Sequence, residues 1–173
     1  MIKKYFFSFL LIIFFSNESS AQEKVVFLDI NYILNNSIAG KQILSQLEEI
    51  NNKNLSFLKK KETDLSKMEN NIRKKKNVIS EAELNKEIIS FEKKVQEFRF
   101  EKNDLVENFN KHKSEQILRF VNLINPIIKK YMNDNNIGLL LDKKNVFIAK
   151  SNYDITNILL EIINKEIKTF SIE

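Results

Sequence analysis

The feature that most constrains this chain is its scarcity of residues that interrupt helices. Its 173 residues include 2 glycines and 1 proline. Because glycine and proline are the strongest local signals that end regular structure, so few of them favour long uninterrupted helices. Apolar residues fall at helical spacing from residue 43 to residue 79, and Leu58, Leu65 and Ile72 repeat every seven residues. Polar residues fill the intervals, so the apolar stripe is narrow, as in a coiled coil.

Polar side chains interrupt this predicted stripe. Asn51, Asn54, Lys61 and Lys75 occupy positions at which a coiled coil normally places apolar residues. Polar residues in a coiled-coil seam lower its stability. We therefore expect the seam of this helix to be weak and the helix to flex.

The reversal between two long helices is predicted from capping chemistry. Residues 80–83 have the sequence Ser-Glu-Ala-Glu, which is a capping box. In such a box the hydroxyl of the first residue and the carboxylate of the fourth accept hydrogen bonds from otherwise unpaired N–H groups. The first long helix is therefore predicted to end near Asn77 and the second to begin at Ser80.

The second helix has a more regular heptad pattern. Its predicted seam positions are Leu84, Ile88, Phe91, Val95, Phe98, Lys102, Leu105, Phe109 and His112, followed after a phase shift by Ile117, Val121, Ile124, Ile128 and Tyr131. Two antiparallel helices of about forty residues each form a hairpin arm about 60 Å long at about 1.5 Å per residue. Pro126 is expected to bend the second helix near its base.

Both ends of the chain predict strands. Residues 24–30 are a compact apolar and β-branched run, and residues 31–37 follow as a turn or short helix. Residues 137–141 predict a second strand, residues 142–145 a turn and residues 146–150 a third strand. A last amphipathic helix then follows. Its predicted inward-facing residues are Ile155, Leu159, Ile162 and Ile163.

The predicted fold class is α+β and mostly helical, with a long antiparallel coiled-coil hairpin arm that projects from a small β body. The body comprises residues 22–42 and 118–173, and the arm comprises residues 43–117 with its tip near residues 77–80. Three short strands and one or two small helices bury little core and leave open sheet edges. We therefore expect several copies of the chain to share one sheet.

Residues 1–21 predict a cleaved signal peptide. Lys3 and Lys4 give a positive start, residues 5–15 are largely apolar, and residues 19–21 supply small side chains for a cleavage site. An apolar run of about eleven residues is shorter than a membrane-spanning helix needs. The alternative is an uncleaved N-terminal anchor.

The composition offers little catalytic or metal-binding chemistry. The chain has no cysteine, which excludes a disulfide and a lipid-modified cysteine, and His112 is its one histidine. A single imidazole with no second ligand nearby in sequence is a poor metal site. Since the sequence also has no Gly-rich phosphate loop or nucleophile elbow, we expect neither an enzyme nor a cofactor. The formal net charge of +5 favours anionic partners in general.

Several stretches near the two ends of the chain share the pattern of one protein family. They are residues 25–31 and 126–128 and, most strongly, residues 137–142, 146–149 and 154–156. With these stretches the chain resembles the Skp/OmpH family of periplasmic chaperones over essentially all of its length after residue 21. The chain departs from the pattern where no aromatic residue follows the glycine of its second strand, and its arm is rich in Phe and Asn.

This resemblance implies a jellyfish-like homotrimer. Three chains would form one β body, and three hairpin arms would enclose a central cavity. It also implies an ATP-independent holdase that keeps unfolded outer-membrane β-barrel proteins soluble in the periplasm until they are inserted. The departures from the family pattern leave the range of clients open.

Two phenylalanines are the candidate client-binding residues. Phe100 follows Phe98 by two positions, so the two rings cannot share one face of a helix. Phe98 fits the predicted seam together with Phe91, and the same holds for Phe109. Phe100 and, on the first helix, Phe57 are therefore predicted to face clients. The alternative is that both simply widen the core of the arm.

A basic cluster near the tip is the second candidate site. Arg73, Lys74, Lys75 and Lys76 are consecutive, and residues 59–61 are three further lysines. Such a cluster suits anionic lipid headgroups or lipopolysaccharide, because adjacent positive charges repel one another unless an anion offsets them. The alternative is an ordinary solvated face of an exposed helix.

The coiled coil alone also allows other functions. One is a structural envelope tether without chaperone activity, which predicts a strict heptad and is opposed by the polar seam. A nucleic-acid-binding protein is suggested by the positive charge, but the export signal opposes it. The third is an adhesin or secreted effector with a helical stalk, which the lack of a repeat array disfavours.

Overall fold

The structure is a computed structural model that describes residues 23–172. The predicted signal peptide lies outside the described residues. The elements in chain order are β1 (Lys24–Leu28), α1 (Ile30–Asn36), α2 (Ile38–Lys75), α3 (Glu81–Asp134), β2 (Ile137–Asp142), two 3-10 turns (Lys143–Asn145 and Ser151–Tyr153) and α4 (Thr156–Glu166). The predicted mostly helical α+β class and the helical hairpin are confirmed.

The helices α2 and α3, of 38 and 54 residues, form the arm, and their ends nearest the strands pack in the body. They run antiparallel, since Lys61 pairs with Glu101 and, nearer the tip, Lys75 pairs with Glu87. At the tip Ser80 caps α3, and its hydroxyl accepts a hydrogen bond from the backbone N–H of Glu83 at 3.3 Å. The N-terminal end of α3 follows the capping prediction. The end of α2 comes at Lys75, before the predicted Asn77.

The seam of the arm consists of side chains that remain partly exposed. In α3 the half-buried positions are Leu84, Glu87, Ile88, Phe91, Val95, Phe98, Glu101, Leu105, Phe109 and His112. The prediction of Lys102 in the seam is wrong, because the spacing shortens to three residues after Phe98 and brings Glu101 inward instead. Lys75, also predicted in the seam, is exposed.

The sheet contains two parallel strands, β1 and β2, and the arm is the connection between them. Val25 lies beside Leu139, and Phe27 lies beside Leu141. The prediction of a third strand at residues 146–150 is wrong for the single chain, in which this segment has no regular structure. A strand needs a neighbour for its backbone hydrogen bonds, and no strand of residues 23–172 pairs with it.

The core of the body lies where α1, α4 and the base of the arm meet the sheet. Its fully buried members come from all of these helices: Ile33, Ala39, Ile43, Phe120, Ile124, Leu159 and Ile163. Gly40 makes the corner between α1 and α2 possible, since a Cβ there would stand 1.9 Å from the backbone oxygen of Leu34. Ser37 is buried at this corner, and its hydroxyl accepts a hydrogen bond from the N–H of Gly40 at 3.0 Å.

A polar network joins β1 to the start of α4. The hydroxyl of Thr156 accepts a hydrogen bond from the N–H of Asp29 at 2.9 Å and donates one to the carboxylate of Asp154. The same carboxylate forms an ion pair with Lys143 at 3.2 Å. Burial raises the pKa of Asp154, but the hydrogen bonds from Thr156 and the contact with Lys143 outweigh it and hold the pKa below its usual value. The network closes the body at the carboxyl end of β1.

Residues 167–172 follow α4 and return to the base of the arm. Ile167 is buried, and Phe170 and Ile172 are half-buried against the core. This docking was not predicted from the sequence.

Candidate functional site

The candidate client-binding residues lie on the sides of the arm. Phe57 is 42% exposed and Phe100 is 78% exposed. By contrast Phe91, Phe98 and Phe109 are half-buried in the seam. Phe100 therefore adds little to the packing between α2 and α3, whereas Phe57 lies at the edge of the seam.

Lys61 links the surroundings of the two candidate residues. Its ammonium group lies 4.9 Å from the centre of the Phe57 ring, close enough for a cation–π contact. The same group pairs with Glu101, which directly follows Phe100. Phe57 consequently lies a little more than one helical turn closer to the body than Phe100, on the opposite helix.

Phe100 is one of several apolar side chains that α3 leaves exposed. Ile89 is also exposed and precedes Phe100 by eleven residues, close to three helical turns, so the two side chains project from the same face. Other exposed apolar residues of the arm are Leu55, Val78 and Val106. Val106 borders a shallow concave surface of about 560 Å³ whose other residues are polar, among them Lys102, Glu107 and Asn110. The arm thus presents separated apolar contacts within a hydrophilic surface.

Two grooves mark incomplete packing between α2 and α3. One, of about 390 Å³, lies near the tip and includes Ile72 and Glu87. The other, of about 300 Å³, lies near the middle and includes Leu65 and Phe98. Between them Met68 borders both grooves. The arm helices are therefore loosely joined over their outer half.

The basic cluster at the tip is exposed, and half of its charge is paired. Arg73 forms an ion pair with Glu69 at 2.8 Å, and Lys75 forms one with Glu87 at 2.6 Å. Within residues 23–172, Lys74 and Lys76 pair with no carboxylate, so their two charges face solvent.

Residues 23–172 contain neither a cluster of metal-binding side chains nor a membrane-spanning helix. No group of three or more His, Cys, Asp or Glu side chains there is close enough to hold a metal ion. His112 is half-buried in the seam of the arm. In the same part of the chain, no helix combines the length and apolar character needed to cross a bilayer.

The body carries an apolar surface that the sequence pattern did not predict. Phe147 is fully exposed and Ile148 nearly so, in the segment that was predicted as a strand. Val25, Leu139 and Leu141 on the paired strands are also exposed. A strand pattern shows which residues alternate, but which face stays uncovered depends on how the chain folds over it.

Known proteins with this arrangement identify the family. A solved structure of an outer membrane chaperone candidate, OmpH-like, from Caulobacter crescentus CB15 superposes with a TM-score of 0.77 at 19% sequence identity. The superposition covers 85% of this chain and 87% of that one, which establishes a shared fold. No curated protein sequence gives a significant match. The family model for outer membrane proteins of the OmpH-like type matches residues 24–163, and the chain therefore belongs to the OmpH-like family.

Proposed function

We propose that this protein is an ATP-independent holdase of the periplasm. It binds unfolded outer-membrane β-barrel proteins between its arms and keeps them soluble until they are inserted into the outer membrane. The observation that carries this proposal is the set of apolar side chains, above all Phe57 and Phe100, that the arm leaves exposed outside its own seam. The OmpH-like family and the chaperone name of the Caulobacter crescentus neighbour support it.

The holdase mechanism needs many weak contacts and no reacting group. Each exposed apolar residue buries a limited area on a client, and this burial contributes roughly 25 cal/mol of free energy per Å². Exposed apolar residues such as Ile89 and Phe100 stand apart along the arm, so a bound client can exchange contacts without leaving. The loosely joined helices allow the arm to adjust to clients of different size. In this mechanism the protein uses neither catalysis nor a cofactor.

The exposed surface of the body supports assembly with further copies. Phe147, Ile148 and Leu139 form apolar surface that one chain leaves uncovered. Such surface on a small body commonly marks a protein interface. A neighbouring copy would also supply a strand partner for residues 146–150. We propose a homotrimer, the number that the family resemblance implies, in which three arms enclose the client.

The tip supports a contact with the membrane surface. The exposed charges of Lys74 and Lys76 lie at the point of the arm farthest from the body. Each exposed lysine near an anionic membrane contributes about 1 kcal/mol to binding. We propose that the tip contacts anionic lipid headgroups or lipopolysaccharide.

Native mass spectrometry together with client aggregation tests the holdase proposal. Residues 22–173 are measured alone and after addition of a urea-unfolded outer-membrane β-barrel protein. A three-chain species that takes up a client and suppresses its light scattering is expected. Monomers or two-chain rods that leave the client to aggregate would contradict the proposal and favour the envelope tether.

A pair of substitutions then tests the surface itself. Phe57→Ser and Phe100→Ser together are expected to weaken suppression of aggregation several-fold, while Phe57→Leu and Phe100→Leu retain most of it. Asn52→Ser and Gln96→Ser together are the matched control, because both residues are polar and exposed on the same two helices. Equal effects of the control and the paired serine variant would show that these phenylalanines do not bind the client.

A further inference from the structure

Residues 167–172, hereafter the return segment, are held at the base of the arm by side-chain amides of α2. The N–H of Phe170 donates to Oε1 of Gln42 at 2.7 Å, and the N–H of Ile172 donates to Oε1 of Gln46 at 3.2 Å. Nε2 of Gln46 donates to the carbonyl oxygen of Phe170 at 3.3 Å. All three bonds involve the backbone of the return segment.

The amide of Gln46 acts as a neighbouring strand would. It donates a hydrogen bond to the carbonyl of Phe170 and accepts one from the N–H of Ile172, the two residues on either side of Ser171. A residue in a parallel sheet makes the same pair of hydrogen bonds to the adjacent strand. Hydrogen bonds of this kind depend on an extended backbone and not on the identity of its side chains. The base of the arm can therefore bind extended chain of many sequences.

The side-chain contacts select an alternating pattern. Phe170 and Ile172 both pack against the core, and Ser171 between them is exposed. The guanidinium group of Arg119 lies 5.1 Å from the centre of the Phe170 ring, and its Nη1 donates to the carbonyl of Ser171 at 3.3 Å. A segment with apolar residues at every second position, one of them aromatic, fits these contacts.

The return segment does not fill the space around it. A cleft of about 830 Å³ lies beside it, with Asn122 and Leu123 of α3 on the other side. Leu123 is exposed in this cleft. The site, here called the base groove, consists of Gln42, Gln46, Arg119 and this cleft.

We propose that the base groove is a binding site for extended strands of client proteins and that the return segment is its internal competitor. The proposal rests on the proposed holdase function, which supplies the client class. Strands of outer-membrane barrels alternate apolar and polar residues, as Phe170, Ser171 and Ile172 do. A client strand displaces the return segment, pairs with Gln46 and places its aromatic ring beneath Arg119. The base groove then adds a backbone-directed contact to the side-chain contacts of the arm.

Peptide binding to a shortened chain tests the proposal. The probe is a fluorescein-labelled peptide, EIKTFSIE, with the sequence of residues 166–173, followed by fluorescence anisotropy. A variant that lacks residues 169–173 is expected to bind it at least tenfold more tightly than the intact chain, because the competitor is absent. The same peptide with serine at the positions of Phe170 and Ile172 is the matched control and should not bind. Gln46→Ala in the shortened chain should abolish the gain.

Displacement by a client is measured in the intact chain. Because the sequence has no cysteine, one cysteine added after residue 173 takes a single spin label. Addition of an unfolded outer-membrane protein is expected to make the label more mobile, and addition of a folded soluble protein is not. A label whose mobility stays unchanged, or a folded shortened chain that binds the peptide no better than the intact one, would overturn the proposal.

The outcomes separate this proposal from the holdase function. If the intact chain suppresses client aggregation but the shortened chain does not bind the peptide, the proposed role of the base groove is wrong and the holdase proposal stands. If the peptide binds but client aggregation is not suppressed, the holdase proposal fails and the base groove remains a peptide site.

Discussion

In the body, side chains such as Ile33, Phe120 and Leu159 are completely buried, whereas in the arm the seam residues Leu65 and Phe98 remain partly exposed. No residue from 48 to 115, all within the described part of the chain, is buried. Both regions use the same apolar residue types. They differ because a two-helix seam covers each side chain on one side only, while the body surrounds its core with helices and strands.

This comparison indicates a division of stability. Regions with few buried contacts open with a lower free energy than regions around a packed core. The arm can therefore change shape while the body keeps its structure. Four substitutions test that difference, and their expected cost in stability decreases from the first to the last.

Phe120→Ala should be the most destabilising change. Removing a fully buried phenylalanine typically costs about 3–5 kcal/mol through lost burial and the cavity left behind. The same substitution at the half-buried Phe98 should cost about 1–2 kcal/mol, because part of its ring is already exposed to water. Urea denaturation of both variants measures the difference. Equal losses at the two positions would show that the arm seam is as well packed as the body.

Gly40→Ala should destabilise the body even though alanine favours helices. Its Cβ would stand 1.9 Å from the carbonyl oxygen of Leu34, so the corner between α1 and α2 must shift. Overpacking of this kind costs about 1–3 kcal/mol. Ser56→Ala, on an exposed face of α2, is the control and should be neutral or slightly stabilising. Thermal unfolding that leaves both variants unchanged would mean that the corner adapts freely.

Asp154 should make the stability of the body depend on acid pH. Its pKa in the folded chain is lower than in the unfolded chain, so its ionised form is favoured by folding. The resulting stability is present above the unfolded pKa of about 4 and is lost as the pH falls through the folded pKa. Asp154→Asn should cost about 1–2 kcal/mol at neutral pH, the usual range for a partly buried charged hydrogen-bond group, and flatten this dependence.

The control for the acid dependence lies in the arm. Glu69→Gln removes an exposed ion pair with Arg73 and should leave the pH profile of unfolding unchanged. Urea unfolding at a series of pH values from neutral to acid measures both variants. If Asp154→Asn unfolds with the same acid dependence as the unaltered chain, other carboxylates cause it.

Lys61→Ala should have the smallest effect on stability. It removes a cross-arm ion pair whose side chains are 42% and 35% exposed, and such pairs contribute roughly 0–1 kcal/mol. The expected change is faster amide hydrogen exchange near Glu101 without faster exchange in α4. Lys67→Ala, which affects only an exposed pair with Asp64 within α2, is the control. Faster exchange throughout the body would contradict the division between the two regions.

The parts of the fold that were predicted from the sequence are those fixed by neighbouring residues. The two arm helices, the Ser80 cap and the strands at residues 24 and 137 follow from local spacing and capping. In the seam of α3 the prediction of Lys102 was wrong, because Glu101 lies there instead and pairs with Lys61 of the other helix. Local spacing cannot show that partner.

Long-range contacts explain the remaining differences. Gln42 and Gln46 each looked like ordinary polar positions of α2, yet they bind backbone groups more than a hundred residues later. The segment at residues 146–150 has strand-forming residues, but no strand of the described part of the chain lies beside it. The roles of Phe57 and Phe100 stay predictions, to which the structure adds the exposure of both side chains.

The arm is an insertion between two strands that pair directly, so its length can change independently of the sheet. Strands β1 and β2 are more than a hundred residues apart in sequence, but the hairpin returns its second helix to the point where its first began. Once the hairpin has closed, the entropy cost of bringing the strands together no longer grows with the length of the arm. Equal numbers of heptads can thus be added to or removed from α2 and α3 while the sheet register stays the same. The length of the arm can therefore change during evolution while the fold of the body stays the same.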